Sequence, residues 1–109
     1  MIVYRVENEN GRGPYSTSHD FRHDLIDAHN YSRRHPTPNF PSLDAETIWL
    51  CGFASQESLN EWFNGWLEKL TSVGFRVVRY DVPDEFVKNS DIQLIFQKDK
   101  AELVKEETF

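Results

Sequence analysis

The residue whose type most suggests chemistry is Arg5, which interrupts the apolar segment at residues 2–7. A guanidinium is planar and can give two parallel hydrogen bonds to a carboxylate or to phosphate oxygens, which an ammonium group cannot. The turn that follows contains Gly11, Gly13 and Tyr15, and its glycines would let the backbone approach a bound ligand. The sequence therefore predicts that Arg5 has an edge position, a partner side chain within the fold, or a ligand.

A second possible anion contact lies at the start of a predicted helix, at Ser55. The free N–H groups of a helix N-terminus attract an anion. The serine hydroxyl can instead cap the helix by accepting a hydrogen bond from one of those groups. For Arg5 the competing interpretation is an ion pair with Glu7, Asp81 or Asp91 on a solvated face of the sheet. The pattern leaves a structural and a ligand-binding role open for both residues.

The histidines and the cysteine could also support chemistry. His19 and His23 stand four residues apart on a predicted helix, a spacing at which two imidazoles can share a metal ion. A reliable third ligand is missing from the sequence, so we predict no metal site. Cys51 lies among apolar residues of a predicted strand, which favours a buried, unreactive thiol over a nucleophile.

The composition describes one acidic domain over residues 1–109. This length is enough for a single hydrophobic core. The 12 Lys and Arg against 18 Asp and Glu give a formal net charge of -6, which argues against direct nucleic-acid binding and suits a basic protein partner. The sequence has no basic, apolar leader and no apolar run of bilayer length, so we expect a cytoplasmic protein without membrane contact.

The elements of the first half begin with a strand over residues 2–7 and a helix over roughly residues 19–29. Three prolines within residues 31–43 exclude a helix interior or a central strand, so we expect a long surface loop of the kind that often carries function. The strand predicted over residues 47–53 is apolar on both faces, and we expect it near the centre of the sheet.

The strongest helical pattern follows Ser55. Seven apolar residues recur at steps of three and four, which predicts one long helix that ends at Gly74 and packs on the sheet. These residues are Leu59, Trp62, Phe63, Trp66, Leu67, Leu70 and Val73.

The last third of the chain predicts two strands, over residues 75–82 and 91–97, and a short charged helix over residues 99–107. The second strand is expected to turn three side chains inward, namely Ile92, Leu94 and Phe96. The element order predicts an α+β domain in which a small mixed or antiparallel sheet of about four strands packs against two main helices.

Five segments together carry a resemblance to known proteins, namely "YRVE", "GRGPY", "CGFAS", "GFRVVRYDV" and "DIQLIF". Their combination resembles a set of small proteins encoded by tailed bacteriophages and prophages. The resemblance covers most of the chain and implies a phage accessory role, which includes countering host defence in the manner of an anti-CRISPR protein. It names no substrate.

A second resemblance is to ADP-ribosyltransferase-like folds of the arginine, serine and glutamate branch. That family has an arginine in its first strand, a serine before a helix and an acidic residue on a late strand, which here fall at Arg5, at Ser55, and at Asp91 or Gln93. The resemblance implies that Arg5 and Ser55 hold a dinucleotide and that position 91 or 93 is catalytic. The segment Asp-Ile-Gln lacks the expected glutamate, so binding without transfer is an equal alternative.

We therefore expect a phage-type protein that acts in the host cytoplasm by binding a host protein, without a cofactor. The first alternative is NAD binding or transfer at a nucleotide site. The residues of that site would be Arg5, Gly11, Gly13, Tyr15 and Ser55 as ligand contacts, with Gln93 or Asp91 as catalytic candidate. The second alternative is a minor structural component of the phage particle. The sequence does not decide whether the protein is an enzyme.

Overall fold

The computed structural model describes residues 1–15, 22–30, 48–90 and 92–107. The predicted proline loop, His19 and Asp91 lie outside the described residues. The described helices and strands, in chain order, are β1 Ile2–Glu7, α1 Arg22–Asn30, β2 Trp49–Gly52, α2 Gln56–Trp62, α3 Leu67–Ser72, β3 Arg76–Asp81, β4 Val87–Asn89, β5 Leu94–Gln97 and β6 Glu102–Glu107.

The strands form two antiparallel sheets of three strands each. In the first sheet β3 lies between β1 and β6, and in the second β5 lies between β2 and β4. A bridge between Tyr4 and Phe53 joins the two sheets through backbone hydrogen bonds of 2.8 and 2.7 Å. The α+β class is confirmed. About four strands were expected, whereas the described ranges contain six. Within those ranges β2 was expected near the centre of the sheet but lies at the edge of its own sheet.

Alternation along β1 sends its side chains into two separate cores. Val6 faces a core that residues of the helices share with residues of β3 and of the connecting segments. The other buried residues of this core are Leu25, Phe53, Leu59, Trp62, Phe63, Leu70, Phe75 and Val77. Val3 faces the second sheet, where it packs with Val82, Leu94 and Phe96. Both faces of β1 are therefore covered, which explains how a charged residue of this strand can be buried.

The predicted long helix is two short helices, α2 and α3. The chain turns between Trp62 and Leu67, where Gly65 has a φ of 85°, a left-handed conformation that interrupts a helix and that glycine adopts without a Cβ penalty. The apolar stripe still contributes to the core, because Trp62 and Phe63 are buried and Trp66 packs against the same cluster. The predicted stop at Gly74 is confirmed by its φ of 95° directly after α3.

The end of the chain differs from the prediction. Residues expected to form a charged helix form a short 3-10 turn over Lys98–Lys100 and then strand β6. β6 pairs with β3 along its length. Glu107 lies opposite Val77 at one end of the pairing, and Glu102 lies opposite Asp81 at the other. Pairing with a distant strand therefore outweighs the helix propensity of this charged segment.

Strand β5 begins later than predicted, at Leu94. Leu94 and Phe96 are buried as expected, whereas Ile92 precedes the strand and is exposed. Gln93, which alternation with the inward residues Ile92 and Leu94 would turn outward, is buried. Ile95 is also buried, because the strand is covered on both faces. Across the described parts of the chain, every helix is too short or too polar to cross a bilayer.

Candidate functional site

Arg5 lies in a buried polar cluster between β1, β2 and the turn after β1. The residue is only 8% exposed. Its Nη1 atom donates to the backbone oxygen of Cys51 at 2.8 Å, and Nη2 lies 3.5 Å from the oxygen of Gly11, at the long limit of a hydrogen bond. The guanidinium therefore joins β1 and the turn after it to β2, which lies 46 residues further along the chain.

The charge of Arg5 is balanced by Glu7, two residues further along β1. Arg5 Nε lies 3.3 Å from Glu7 Oε1, which is ion-pair distance, although Nε has no hydrogen-bond partner among the described residues. Glu7 is 5% exposed, and its Oε1 accepts a hydrogen bond from the Tyr80 hydroxyl at 2.8 Å. The carboxylate is thus held by a cation and a neutral donor inside the fold.

The glycines of the turn fit tightly around this ion pair. A Cβ on Gly13 would lie 3.3 Å from Arg5 Nη2, and a Cβ on Gly11 would lie 3.4 Å from Glu7 Oε2. Gly11 also has a φ of 76°, which disfavours other residues. The glycines therefore let the turn close over Arg5 and Glu7. Their predicted contact with a ligand stays a prediction.

These contacts correct one expectation about Arg5. Glu7 is the partner, as one interpretation predicted, but the pair is buried and not on a solvated face. The contacts of Arg5 match one of its three predicted roles, which is pairing with a partner side chain within the fold. A ligand contact by Arg5 stays a prediction that these contacts do not test.

Tyr15 belongs to a second polar cluster, which joins the first turn to α1 and α2. Its hydroxyl accepts a hydrogen bond from Trp62 Nε1 at 2.7 Å and forms another hydrogen bond with His29 Nδ1. The backbone oxygen of Tyr15 accepts from Arg22 Nε at 2.9 Å. His29 is buried, and its ring contacts those of Tyr15 and Trp62 edge-on.

Sequence reasoning did not find the role of His29. The available signal was its position four residues after Leu25, because such residues share one face of a helix and Leu25 is fully buried. An apolar face of α1 that also carries a histidine requires a polar partner inside the core. The Tyr15 hydroxyl provides it and in turn accepts from Trp62 Nε1, so this cluster organises the core.

The Tyr15 hydroxyl makes folding sensitive to alkaline pH. Burial raises the pKa of Tyr15 above its ordinary value of 10.0, because the phenolate would lose its water, and the hydrogen bond from Trp62 acts in the opposite direction. Above pH 10 the unfolded chain loses this proton while the folded chain keeps it. The free energy of unfolding therefore falls as the pH rises.

Between pH 9 and pH 11, we expect the free energy of unfolding of the wild type to fall by about 1.4 kcal/mol more than that of Tyr15→Phe. This difference is the effect of one group that loses its proton only in the unfolded chain, over about one pH unit above its pKa in that state. Urea denaturation at the two pH values measures the difference. Tyr4→Phe is the control, because it removes another tyrosine hydroxyl and keeps Tyr15, so it should retain the loss that Tyr15 causes. If the free energy of unfolding fell equally in Tyr15→Phe and in the wild type, Tyr15 would not be the cause of the alkaline loss of stability.

The remaining predicted site residues make other contacts or lie outside the description. Ser55 caps α2, since its Oγ accepts from the Ser58 backbone N–H at 3.2 Å. Gln93 is buried just before β5, with its backbone oxygen accepting from Ser90 N at 3.1 Å. Asp91 is outside the described residues. The structure thus brings Arg5 together with the turn glycines, and the catalytic role of Gln93 or Asp91 stays a prediction.

Cys51 is exposed, which corrects the expectation of a buried thiol. Neighbouring atoms still desolvate its sulfur in part and raise the pKa of Cys51, while the Arg5 guanidinium acts to lower it. Desolvation is the larger effect, so the thiolate fraction at neutral pH is lower than in an ordinary cysteine. Among the described residues, the His, Cys, Asp and Glu side chains form no group of three that could hold a metal ion.

The fold and its buried polar clusters define a small α+β protein. Its two antiparallel sheets are joined by a bridge, and residues of the helices pack against Val6 and Val77 of the first sheet. The model of the Bacteriophage T4 Y00F protein family matches residues 1–109, and the chain belongs to this family. Curated proteins and solved structures give no match. The resemblance to phage proteins is therefore supported, and the similarity to ADP-ribosyltransferases is not shown.

Proposed function

We propose that this phage-family protein acts by binding a host protein and that strand β6 is the contact surface. The observation that carries the proposal is the exposure of two adjacent apolar side chains on this strand. Leu103 is 50% exposed and Val104 is 52% exposed. In the described part of the first sheet, β6 is an outer strand. An outer strand has backbone groups on its free side that can pair with a partner.

The irregular pairing of β6 supports a specific contact. Its register with β3 shifts between Arg79 and Tyr80, which leaves Val104 as an extra residue between the partners of these two positions. Such bulges at sheet edges re-aim a side chain and limit uncontrolled stacking of strands. The two apolar residues therefore suit a short, defined contact better than an extended self-assembly edge.

The charge of the strand favours a basic partner. β6 contains three glutamates and one lysine, and the whole chain has a formal net charge of -6. An acidic surface attracts a basic partner during diffusion and repels copies of itself. This charge argues for a host protein over a second copy of the chain. A component of host defence is the partner class that a phage accessory protein would most usefully bind.

A pull-down from host lysate tests the proposal with the double variant Leu103→Ser and Val104→Ser. The matched control is Ile48→Ser, which removes another exposed apolar side chain away from β6. We expect the wild type and the control to retain one host protein in a fixed ratio, and the double variant to retain at least about tenfold less, because a few apolar contacts carry most of an interface.

Two outcomes would overturn the proposal. One is repeated recovery of no host protein by the wild type. The other is equal recovery by the wild type and the double variant while circular dichroism shows that both are folded. Recovery of a phage particle protein in place of a host protein would support the structural alternative and refute this one.

A further inference from the structure

A recess lies beside α2, between residues of this helix and Ile92. Its volume is about 730 Å³, which is within the range of sites that hold a small molecule or a large side chain. The described residues that line it are Ser58, Asn60, Glu61, Trp62, Asn64 and Ile92. Most of them come from one short helix, so their relative positions are fixed by the helix geometry.

The apolar part of the recess is rigid on one side. Trp62 is only 5% exposed, and its indole N–H is already bonded to Tyr15. Its ring also packs against Phe53 at a centroid distance of 5.6 Å. Ile92 provides the other apolar surface and is 40% exposed. A ligand with an aliphatic or planar part could therefore cover Ile92 and meet a fixed indole edge.

In the part of the chain that the structure describes, the polar side of the recess has one charge without an ion pair. The Ser58 hydroxyl accepts a hydrogen bond from Ser55, and Asn60 Oδ1 accepts one from Gln56 Nε2 at 2.9 Å. The Glu61 carboxylate is exposed and has no ion pair with any residue that the structure describes. The described residues of the recess thus combine apolar surface with a negative charge that none of them pairs, and a cation complements it.

We propose that this recess receives an arginine side chain of the host partner. The inference rests on the proposed function, because it supplies a second contact for the same partner. The methylene groups of an arginine would cover Ile92 and the indole edge, and its guanidinium would pair with Glu61 in two parallel hydrogen bonds. Arginine fits better than lysine because its planar group can give a carboxylate two parallel hydrogen bonds and is frequent in the centres of interfaces.

The test uses Nα-acetyl-arginine-N-methylamide as a probe and follows backbone amides and the Trp62 indole by ¹H–¹⁵N NMR. We expect saturable shifts at residues 61–64 and at the indole, with a dissociation constant in the millimolar range for so small a ligand. Glu61→Gln should weaken binding by about tenfold or more. Glu57→Gln is the matched control, because Glu57 is also an exposed glutamate of α2 but does not line the recess.

The outcomes separate this inference from the proposed function, because the titration needs no host protein. The absence of saturable shifts, equal binding by Glu61→Gln, or equal shifts with the corresponding glutamate derivative would overturn the arginine site and leave the β6 proposal intact. Conversely, a pull-down that fails while the titration succeeds would remove the host-protein proposal and retain a cation site beside α2. A stronger response to the lysine derivative would refute the preference for arginine.

Discussion

Replacing Arg5 by alanine is expected to lower the free energy of unfolding by about 3–5 kcal/mol, the typical cost of leaving one partner of a buried ion pair alone. The variant would leave the buried Glu7 carboxylate without its cation and remove the donor to the Cys51 oxygen. Both groups lie where water replaces the lost contacts poorly. Urea denaturation at neutral pH, followed by circular dichroism, measures the change.

Two further variants show that the effect belongs to the buried pair. Arg12→Ala removes an exposed arginine of the same turn and should change the free energy of unfolding by less than about 0.5 kcal/mol. Arg5→Met combined with Glu7→Gln removes both charges and should recover part of the lost stability, because no unpaired charge remains. If Arg5→Ala were as mild as Arg12→Ala, the pair would not stabilise the fold as described.

Gly52→Ala is expected to lower the free energy of unfolding by about 1–3 kcal/mol, the usual range for overpacking a core. A Cβ at this position would lie 2.5 Å from Val3 Cγ1 and 3.1 Å from the Tyr4 oxygen. The Tyr4 oxygen cannot move away freely, because it accepts the 2.7 Å hydrogen bond from Phe53 N that bridges the two sheets. Thermal or urea unfolding of the purified variant measures the loss.

A double variant tests the cause of this loss. In a Val3→Ala background the closest atom is gone, so adding Gly52→Ala should cost less than it does in the wild type. The difference between the two costs is the coupling between the positions, and contacting residues show couplings of about 0.5–3 kcal/mol. Strictly additive costs would contradict the predicted clash between residues 3 and 52.

The elements predicted from local signals agree with the structure, and those set by distant contacts do not. Strand β1, the cap at Ser55 and the stop at Gly74 depend on patterns within a few residues, and all three are present. The charged segment at residues 102–107 has the composition of a helix but forms a strand, because β3 offers it a partner. Single-sequence patterns contain no record of that partner.

The buried clusters show the same limit. The pairing of Arg5 with Glu7 could be anticipated, because residues two apart on a strand share a face and their charges are opposite. Their burial could not be anticipated, because the backbone oxygen of Cys51 that contacts Arg5 comes from a segment 46 residues away. The link from Tyr15 to Trp62 spans 47 residues and was missed for the same reason.

The position of β3 between β1 and β6 has a consequence for the newly synthesised protein. β3 pairs with a segment that is made about 70–80 residues earlier, from Glu7 opposite Arg76 to Ile2 opposite Asp81, and with one that is made about 20–30 residues later. The first sheet therefore cannot close until translation has passed residue 107. Until then the nascent chain presents an unpaired β3 edge, which is a site for chaperone binding or misassembly.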